Sequence, residues 1–354
     1  MSPARTAGEH HRPGHAPDGL VYPWRTPPAP GEHILVAAGV HWIRMPLPFR
    51  LDHINLWLLE DDDGWTLVDC GVDRPEVRAL WSRFLAGPLA DAPPRRIVAT
   101  HFHPDHLGLG GWLAHRTGAS LWMTRDEWMT GSLLYHDQDG HHAGHQIALL
   151  ARHGLPTELA ARLGARGNTY RPLMSAPPAE HVRLRDGDRL TIGGRTWQVR
   201  IGRGHAPEHA CLHCPSLGVL IAGDQVLPRI TPNVSLSAME PDADPLDEYL
   251  QTLSALRDLP DDTLVLPSHR LPFRGLITRL DAIARHHQER LDALLAALAA
   301  PADAFGLLPV LFDRTLDLHE VWFAMGEMLA HLRHLEHLGS VRRVGRDPIR
   351  FVRA

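Results

Sequence analysis

Four side chains that can bind a metal ion lie within six consecutive residues: His101, His103, Asp105 and His106. Side chains two residues apart in an extended segment point the same way. His101 and His103 can therefore reach one metal ion, while Asp105 and His106 turn toward a second. The alternative is a histidine-rich surface loop, since the chain has 26 histidines. Three imidazoles and one carboxylate at this spacing favour a binuclear metal site.

Apolar segments that predict strands lead to each candidate ligand. Residues 96–99 precede the first cluster, and other short apolar segments precede His205, Asp224 and His269. Ligands that converge from the ends of several strands are how a sheet builds a rigid site. His209 lies near His205, as does His213, and we assign both to a strand and its turn rather than to metal.

The composition is that of an ordinary globular protein, with 44% hydrophobic and 22% charged residues in a chain of 354. A net charge of −5 gives no general attraction to nucleic acid or to an anionic membrane. No apolar stretch approaches the roughly 18 residues that span a bilayer, and residues 1–19 lack the apolar core of a signal peptide. Cys70, Cys211 and Cys214 cannot all pair, so we expect a cytoplasmic protein with packing thiols rather than a structural zinc.

Composition and predicted secondary structure divide the chain into three parts. Residues 1–30 are rich in Pro and His and predict a flexible N-terminal arm. Residues 31–275 alternate strands and helices, which predicts a layered α/β catalytic domain. Residues 126–180 within that domain predict a helical insertion over the site that shapes the substrate pocket. Residues 276–354 predict helices followed by a short basic hairpin.

The insertion contains a second histidine cluster: His136, His141, His142 and His145. Asp137 and Asp139 lie between the first two, so another metal site is one interpretation. The spacing matches no pattern of metal ligands that we can justify. We therefore favour a solvated surface of the insertion.

The order of these motifs resembles the metallo-β-lactamase superfamily, with a motif set like that of the glyoxalase II hydrolases. The resemblance spans residues 31–275 and includes Asp69, in the segment Val68-Asp69-Cys70-Gly71. It implies a four-layer αββα sandwich with the site at one edge of two sheets. It assigns His101, His103 and His205 to a first metal ion, Asp105, His106 and His269 to a second, and Asp224 as the bridge. Asp69 would orient a ligand, and the candidate catalytic residues are Asp105, Asp224 and Asp69.

The chemistry that this resemblance implies is hydrolysis. Imidazoles and carboxylates suit two divalent ions, which we expect to be Zn²⁺, with Fe or Mn also compatible. A hydroxide shared by the ions would attack an ester-like bond of a small molecule, and an acyl thioester is the favoured substrate. Ala206-Pro207-Glu208 replaces the Thr-Pro-Gly of many thioester-cleaving members, which argues against a glutathione thioester.

The C-terminal part resembles the winged-helix appendage of some of these hydrolases. The alternative function is therefore an RNA-processing nuclease or a nucleic-acid-binding metallohydrolase. The candidate recognition helix, residues 318–338, carries Glu320, Glu327 and Glu336 against a single Arg333, which is unsuited to phosphates. We favour packing on the catalytic domain, pocket closure or a homodimer contact, and a small molecule rather than nucleic acid as the partner.

Overall fold

Two β-sheets form the centre of the protein, and helices cover the outer face of each sheet. The computed structural model describes residues 18–354. Side chains of both sheets meet in one apolar core, which includes Trp42 and Trp57 from one sheet and Trp197 from the other. The opposite face of each sheet packs against its own set of helices. This arrangement confirms the four-layer αββα sandwich.

The seven strands of the first sheet follow one another in chain order. They are β1 (Ile34–Ala37), β2 (Val40–Pro46), β3 (His53–Asp61), β4 (Gly64–Val68), β5 (Pro94–Val98), β6 (Ser120–Thr124) and β7 (Val182–Leu184). β1 to β4 pair antiparallel, and β4 to β7 pair parallel. The helices α1 (Pro75–Ala86), α2 (Pro104–Leu107) and α3 (Gly110–Thr117) connect the parallel strands.

The second sheet contains β8 (Arg189–Ile192), β9 (Arg195–Gly202), β10 (His209–Cys214), β11 (Val219–Gly223) and β12 (Leu264–Pro267). Their order across the sheet is β12-β11-β10-β9-β8, with only the β11–β12 pair parallel. β10 is buried along its whole length because helices cover one face and the first sheet covers the other. Double burial explains its apolar run, including Cys211 and Cys214.

The side chains of β3 alternate in direction, so this strand contributes to two apolar cores. Trp57 and Leu59 point into the core between the sheets, whereas Leu56 and Leu58 point toward the helices outside the first sheet. Successive side chains of a strand face opposite sides, so a strand that is buried on both faces needs apolar residues at nearly every position. The same sandwich brings the ends of β4, β5, β9, β11 and β12 together, and the candidate ligands follow those ends.

The remaining helices lie in the insertion, between β11 and β12, and in the C-terminal part. They are α4 (Arg125–His136), α5 (His141–Arg152), α6 (Thr157–Gly164), α7 (Pro245–Ala255), α8 (Leu276–Ala297), α9 (Leu308–Leu311) and α10 (Leu318–His337), and they precede the hairpin β13 (Val341–Val344) and β14 (Arg350–Arg353). A turn precedes α9, in which the Asp303 side chain accepts the Gly306 amide. Between residues 18 and 354, no helix is long and apolar enough to cross a membrane.

Helix α10 is an interior helix. Residues 324–335 are all buried, in a core shared with α5, α6, α7, α8 and the second sheet. A helix that is buried on every side cannot enter a nucleic-acid groove, which supports the packing interpretation of the C-terminal part. The order of helices and hairpin agrees with the expected appendage, whose winged-helix description stays a prediction.

The flexible N-terminal arm was predicted over residues 1–30. Residues 1–17 lie outside the described part of the chain. The prediction is wrong at residues 18–22, where Leu20 is buried and Val21 forms a two-way backbone bridge with Arg274, at 3.2 and 2.9 Å. Burial of Leu20 against the C-terminal core offsets the entropy lost on ordering this segment.

Gly326 allows α10 to approach the segment before α7. A Cβ at this position would lie 2.6 Å from Ser235 Oγ, and the Leu236 amide donates to the Gly326 carbonyl at 3.0 Å. We expect Gly326→Ala to lower the free energy of unfolding by about 1 to 3 kcal/mol through overpacking. Gly144→Ala in α5, where no atom lies within 4 Å, should raise it by about 0.5 to 1 kcal/mol. Urea unfolding measures both, and equal stabilisation by the two alanines would contradict the close approach.

Candidate metal centre

The first ligand group consists of three histidines and one carboxylate. Nε2 of His101 lies 2.8 Å from Nδ1 of His103 and 3.3 Å from Nε2 of His205. Oδ2 of Asp224 lies 3.6 Å from the same nitrogen of His205. All four donor atoms are within 4.8 Å of one another. These separations match the edges of a tetrahedron with a metal ion about 2 Å from each donor.

The second group shares Asp224 with the first. Oδ2 of Asp105 lies 3.5 Å from Nε2 of His106 and 3.4 Å from Nε2 of His269. The second oxygen of Asp224, Oδ1, lies 3.6 and 3.3 Å from the same two nitrogens. One carboxylate therefore faces both groups, with one oxygen directed at each. The structure brings together all seven predicted ligands, in the two sets that the resemblance implied.

Two buried atoms show that this arrangement fits cations. Among the described residues, Nε2 of His106 and Oδ1 of Asp224 have no hydrogen-bond partner although neither is accessible to solvent. A buried polar atom without a partner costs roughly 1 to 3 kcal/mol. A divalent ion between the second-group donors would satisfy both atoms at once, so the residues fit a binuclear metal centre.

The protonation of the two groups differs. Burial lowers the pKa of His101 well below its ordinary value and that of His103 to about 3, so both imidazoles are neutral. Burial also opposes charge on His106 and His269, but carboxylates outweigh it. Asp105 and Asp69 raise the pKa of His106, and Asp224 raises that of His269 to about 10. Metal binding to the second group therefore displaces protons and is favoured by rising pH.

Asp69 orients His106. Its Oδ2 accepts Nδ1–H of His106 at 2.8 Å and the Thr100 hydroxyl at 3.0 Å, while Oδ1 accepts the Thr100 amide at 2.7 Å. The bond at Nδ1 fixes the tautomer that presents Nε2 to the metal. Asp69 was also a candidate catalytic residue, and this is corrected, because its buried carboxylate is occupied by these three donors. It is a positioning residue.

Backbone carbonyls orient two further ligands. Nδ1 of His205 donates to the Asn233 carbonyl at 2.7 Å, and Nδ1 of His269 donates to the His53 carbonyl at 2.8 Å. Sequence reasoning missed Asn233 and His53, and no side-chain pattern could have found them, because the acceptor is backbone. Each bond fixes a ring so that Nε2 faces the site.

Glu127, in the first turn of α4, is a second residue that sequence reasoning missed. Its side chain is fully buried and accepts the Phe102 amide at 2.9 Å and the Glu208 amide at 2.7 Å. Phe102 lies between His101 and His103, and Glu208 lies three residues after His205. Burial raises the pKa of Glu127 to about 8. One carboxyl group from the insertion therefore ties together the two loops that carry the first ligand group.

The other histidines lie outside both ligand groups. His209 begins β10 and its Nε2 accepts the Asp224 amide at 3.1 Å, and His213 lies within the same strand. His141 and His145 form an exposed pair on α5, with Nε2 atoms 3.1 Å apart. In the described part of the chain, neither His209 nor this pair joins a cluster of three or more ligands.

A sandwich of two sheets with a two-part His/Asp centre at one edge defines a class of metal-dependent hydrolases. The chain belongs to the Metallo-beta-lactamase superfamily, whose family model matches residues 50–269. A second model, Metallo-beta-lactamase-like, C-terminal domain, matches residues 291–354. The family and the ligand cluster together indicate divalent metal ions.

Similar proteins span nearly the whole chain. A beta-lactamase domain protein from Burkholderia ambifaria is 45% identical, with a TM-score of 0.88, and the match covers 95% of this chain and 98% of that one. A metallo-beta-lactamase family protein from Thermus thermophilus is 32% identical, with a TM-score of 0.76 and coverage of 90% and 99%. The probable metallo-hydrolase YqjP of Bacillus subtilis is 25% identical over 300 residues, 83% of this chain and 91% of its own.

Asp69→Asn tests the orientation of His106. Asn tolerates the left-handed backbone at this position, where φ is 63°, so the substitution changes hydrogen bonding rather than conformation. The side-chain NH₂ of Asn cannot accept a hydrogen bond, so it would face one of the donors that the Asp69 carboxylate now accepts from. We expect metal affinity at the second group to fall about 10- to 100-fold. Chelator competition measures this affinity, with the exposed Asp91→Asn as control. Identical competition curves for the two variants would refute the role of Asp69.

Glu127→Gln tests the tie between the two loops. An amide NH₂ would face the backbone N–H of Phe102 or Glu208, which leaves a buried donor without an acceptor. We expect the free energy of unfolding to fall by about 1 to 3 kcal/mol, and metal binding to the first group to weaken. The neighbouring Asp126→Asn is the control, since that side chain is 44% exposed. If chemical unfolding and metal titration do not distinguish the two variants, the tie has no role in the site.

Proposed function

We propose that this protein is a binuclear metal hydrolase that cleaves an ester-like bond of a small molecule, with an acyl thioester as the favoured substrate. The observation that carries the proposal is the division of Asp224, which directs one oxygen at each group of ligands. Divalent ions bound there would supply an activated water near neutral pH and stabilise the negative charge that develops on the attacked carbonyl. Zn²⁺ is the expected metal because imidazole and carboxylate ligands suit it, and Fe or Mn is also compatible.

Asp105 and Asp224 are the carboxylates available for proton transfer. Burial opposes their ionisation, but the imidazoles of His106 and His269 lower the pKa of both carboxyl groups below the usual value. Both residues are therefore ionised at neutral pH and can accept a proton from the attacking water. Asp105 is the more accessible side chain, at 17% against 11% for Asp224. We assign to Asp105 the delivery of a proton to the leaving group.

Relatives support a substrate with an acyl or alkyl group. An acyl-coenzyme A thioesterase from Gallus gallus is 26% identical over 205 residues, 55% of this chain and 65% of its own length. A linear primary-alkylsulfatase from a Pseudomonas species is 24% identical over 287 residues, 72% of this chain and 51% of its own length. A sulfate ester is therefore the second candidate substrate, since its hydrolysis also needs a stabilised leaving oxygen.

An exposed aromatic surface is consistent with such a substrate. Phe49 and Phe323 are 40% and 41% exposed, and both contact the ring of His319 at the start of α10. Phe49 lies four residues before His53, whose carbonyl orients His269. An exposed aromatic surface of this kind suits an apolar chain.

His103→Ala tests the metal requirement. Removal of one of the three imidazoles in the first group should lower metal content and abolish turnover together, because this group has a single carboxylate oxygen besides its histidines. Metal analysis and hydrolysis of acyl thioesters, alkyl sulfates and lactones, with and without chelator, provide the measurements. Full activity in the variant would refute the assignment. Absence of metal-dependent turnover of every substrate by the wild type would refute the proposed reaction.

A further inference from the structure

A cavity of about 450 Å³ lies between helix α8 and the loop that follows Asp224. Its walls include three arginines, Arg229, Arg279 and Arg285, together with His286 and one acidic residue, Glu289. The volume is in the range of small-molecule sites. None of these residues belongs to either ligand group. The cavity and the metal centre therefore share no residue, and arginine side chains make the lining of the cavity cationic.

Arg279 is an unusual buried cation. It is 8% exposed, and its guanidinium donates from Nε to the Leu227 carbonyl at 2.6 Å and from Nη2 to the Ile230 carbonyl at 2.7 Å. Among the described residues no carboxylate pairs with it, whereas Arg333, at 4% exposure, pairs with two, Asp242 and Glu336. Burial lowers the pKa of Arg279, which reports the cost of this uncompensated charge. A buried cation of this kind is stabilised by an anion.

Other groups around the cavity can also donate to an anion. Arg285 is exposed and has no hydrogen-bond or ion-pair partner between residues 18 and 354. Nε2 of His286 is inaccessible to solvent and has no partner within the same range. Arg229 is paired with Asp18 at 2.9 Å, and the carboxylate of Glu289 limits the net charge. The donors of Arg285 are therefore both uncommitted and accessible, and they line the same cavity as Arg279, which has no carboxylate partner in this range.

We propose that this cavity binds a phosphate-type oxyanion carried by a small molecule, with Arg279 and Arg285 as its donors. Guanidinium groups offer planar pairs of N–H donors that match the oxygens of a phosphate. A volume of about 450 Å³ exceeds that of the oxyanion alone, which leaves room for an organic group. The site lies outside the binuclear centre and does not depend on the proposed reaction.

The cavity shares a wall with the support of a metal ligand. Arg279 holds the carbonyls of Leu227 and Ile230, and the same loop continues to Asn233, whose carbonyl accepts Nδ1–H of His205. An anion at Arg279 would strengthen the attachment of this loop to α8. Occupation of the cavity should therefore also tighten metal binding at the first ligand group, since the orientation of His205 depends on the loop.

Binding of inorganic phosphate to the metal-loaded protein tests the site. Isothermal titration should show that Arg285→Ala weakens phosphate binding at least about tenfold, because a charged hydrogen bond is removed. Arg285→Lys should retain most of the affinity. Arg350→Ala is the matched control, because Arg350 is an exposed arginine on β14, outside the cavity. Phosphate bound at the metal centre would be equal in all of these proteins. Equal affinity in Arg285→Ala and the wild type would therefore overturn the proposal.

A kinetic comparison distinguishes two sources of the oxyanion. If the phosphate belongs to the substrate, Arg285→Ala should raise KM for an acyl-coenzyme A and leave KM for an uncharged acyl thioester unchanged. If it belongs to a separate ligand, neither KM should change, while phosphate should protect the wild type, but not Arg285→Ala, from metal removal by chelator.

Phosphate binding is measured without turnover, so failure of the proposed thioesterase reaction would leave this test intact. Loss of phosphate binding in Arg350→Ala to the same extent would also overturn the site.

Discussion

The shared carboxylate of Asp224 is the constraint on which the centre depends. Its oxygens face two different groups of imidazoles, so a shift of this one side chain changes both groups. The backbone at Asp224 is also fixed, because its amide donates a hydrogen bond to Nε2 of His209. The preceding residue, Gly223, adopts a left-handed conformation with a φ of 52°. A Cβ at Gly223 would lie 2.4 Å from the His209 ring, so only glycine fits before the bridging residue. Packing of the His209 ring, Gly223 and Asp224 against one another thus fixes the conformation at the end of β11.

The ligands are supported from regions far apart in the chain. The insertion contributes Glu127, which ties the loop of His101 and His103 to that of His205. The C-terminal part contributes through α10, where Gly326 packs on Ser235 and Glu327, paired with Arg290 at 2.7 Å, approaches the Asn233 side chain. Neither region contains a ligand. Both regions nevertheless contact the loops that carry or support His101, His103 and His205. The C-terminal helices are therefore part of the structure that positions the metal centre.

These contacts explain why α10 is buried on nearly every side from residue 324 to residue 335. An acidic helix with few cations suits packing better than contact with phosphates, and the structure buries it between α7, α8 and the segment around Leu236. Its first turn remains at the surface, where Asp317 caps it and Glu320 forms ion pairs with Arg50 and Arg314. The C-terminal part contacts the loop before β3 and the loop after β11, and it also shares an apolar core with α7 and the second sheet. Exposed ion pairs of this kind contribute little free energy, so apolar burial dominates the attachment.

The secondary-structure elements and the metal ligands could be predicted from the amino-acid sequence, because both depend on local sequence patterns. Strand and helix periodicity predicted most elements, and the block from His101 to His106, with His205, Asp224 and His269, predicted the seven residues that the structure brings together. The groups that hold the ligands in place could be found only from the packing of distant segments. The carbonyls of Asn233 and His53 carry no side-chain signal, and Glu127 becomes significant only where α4 meets two distant loops. The sequence also could not show that Arg279 has no carboxylate partner between residues 18 and 354, because pairing of a buried charge depends on packing rather than on residue type.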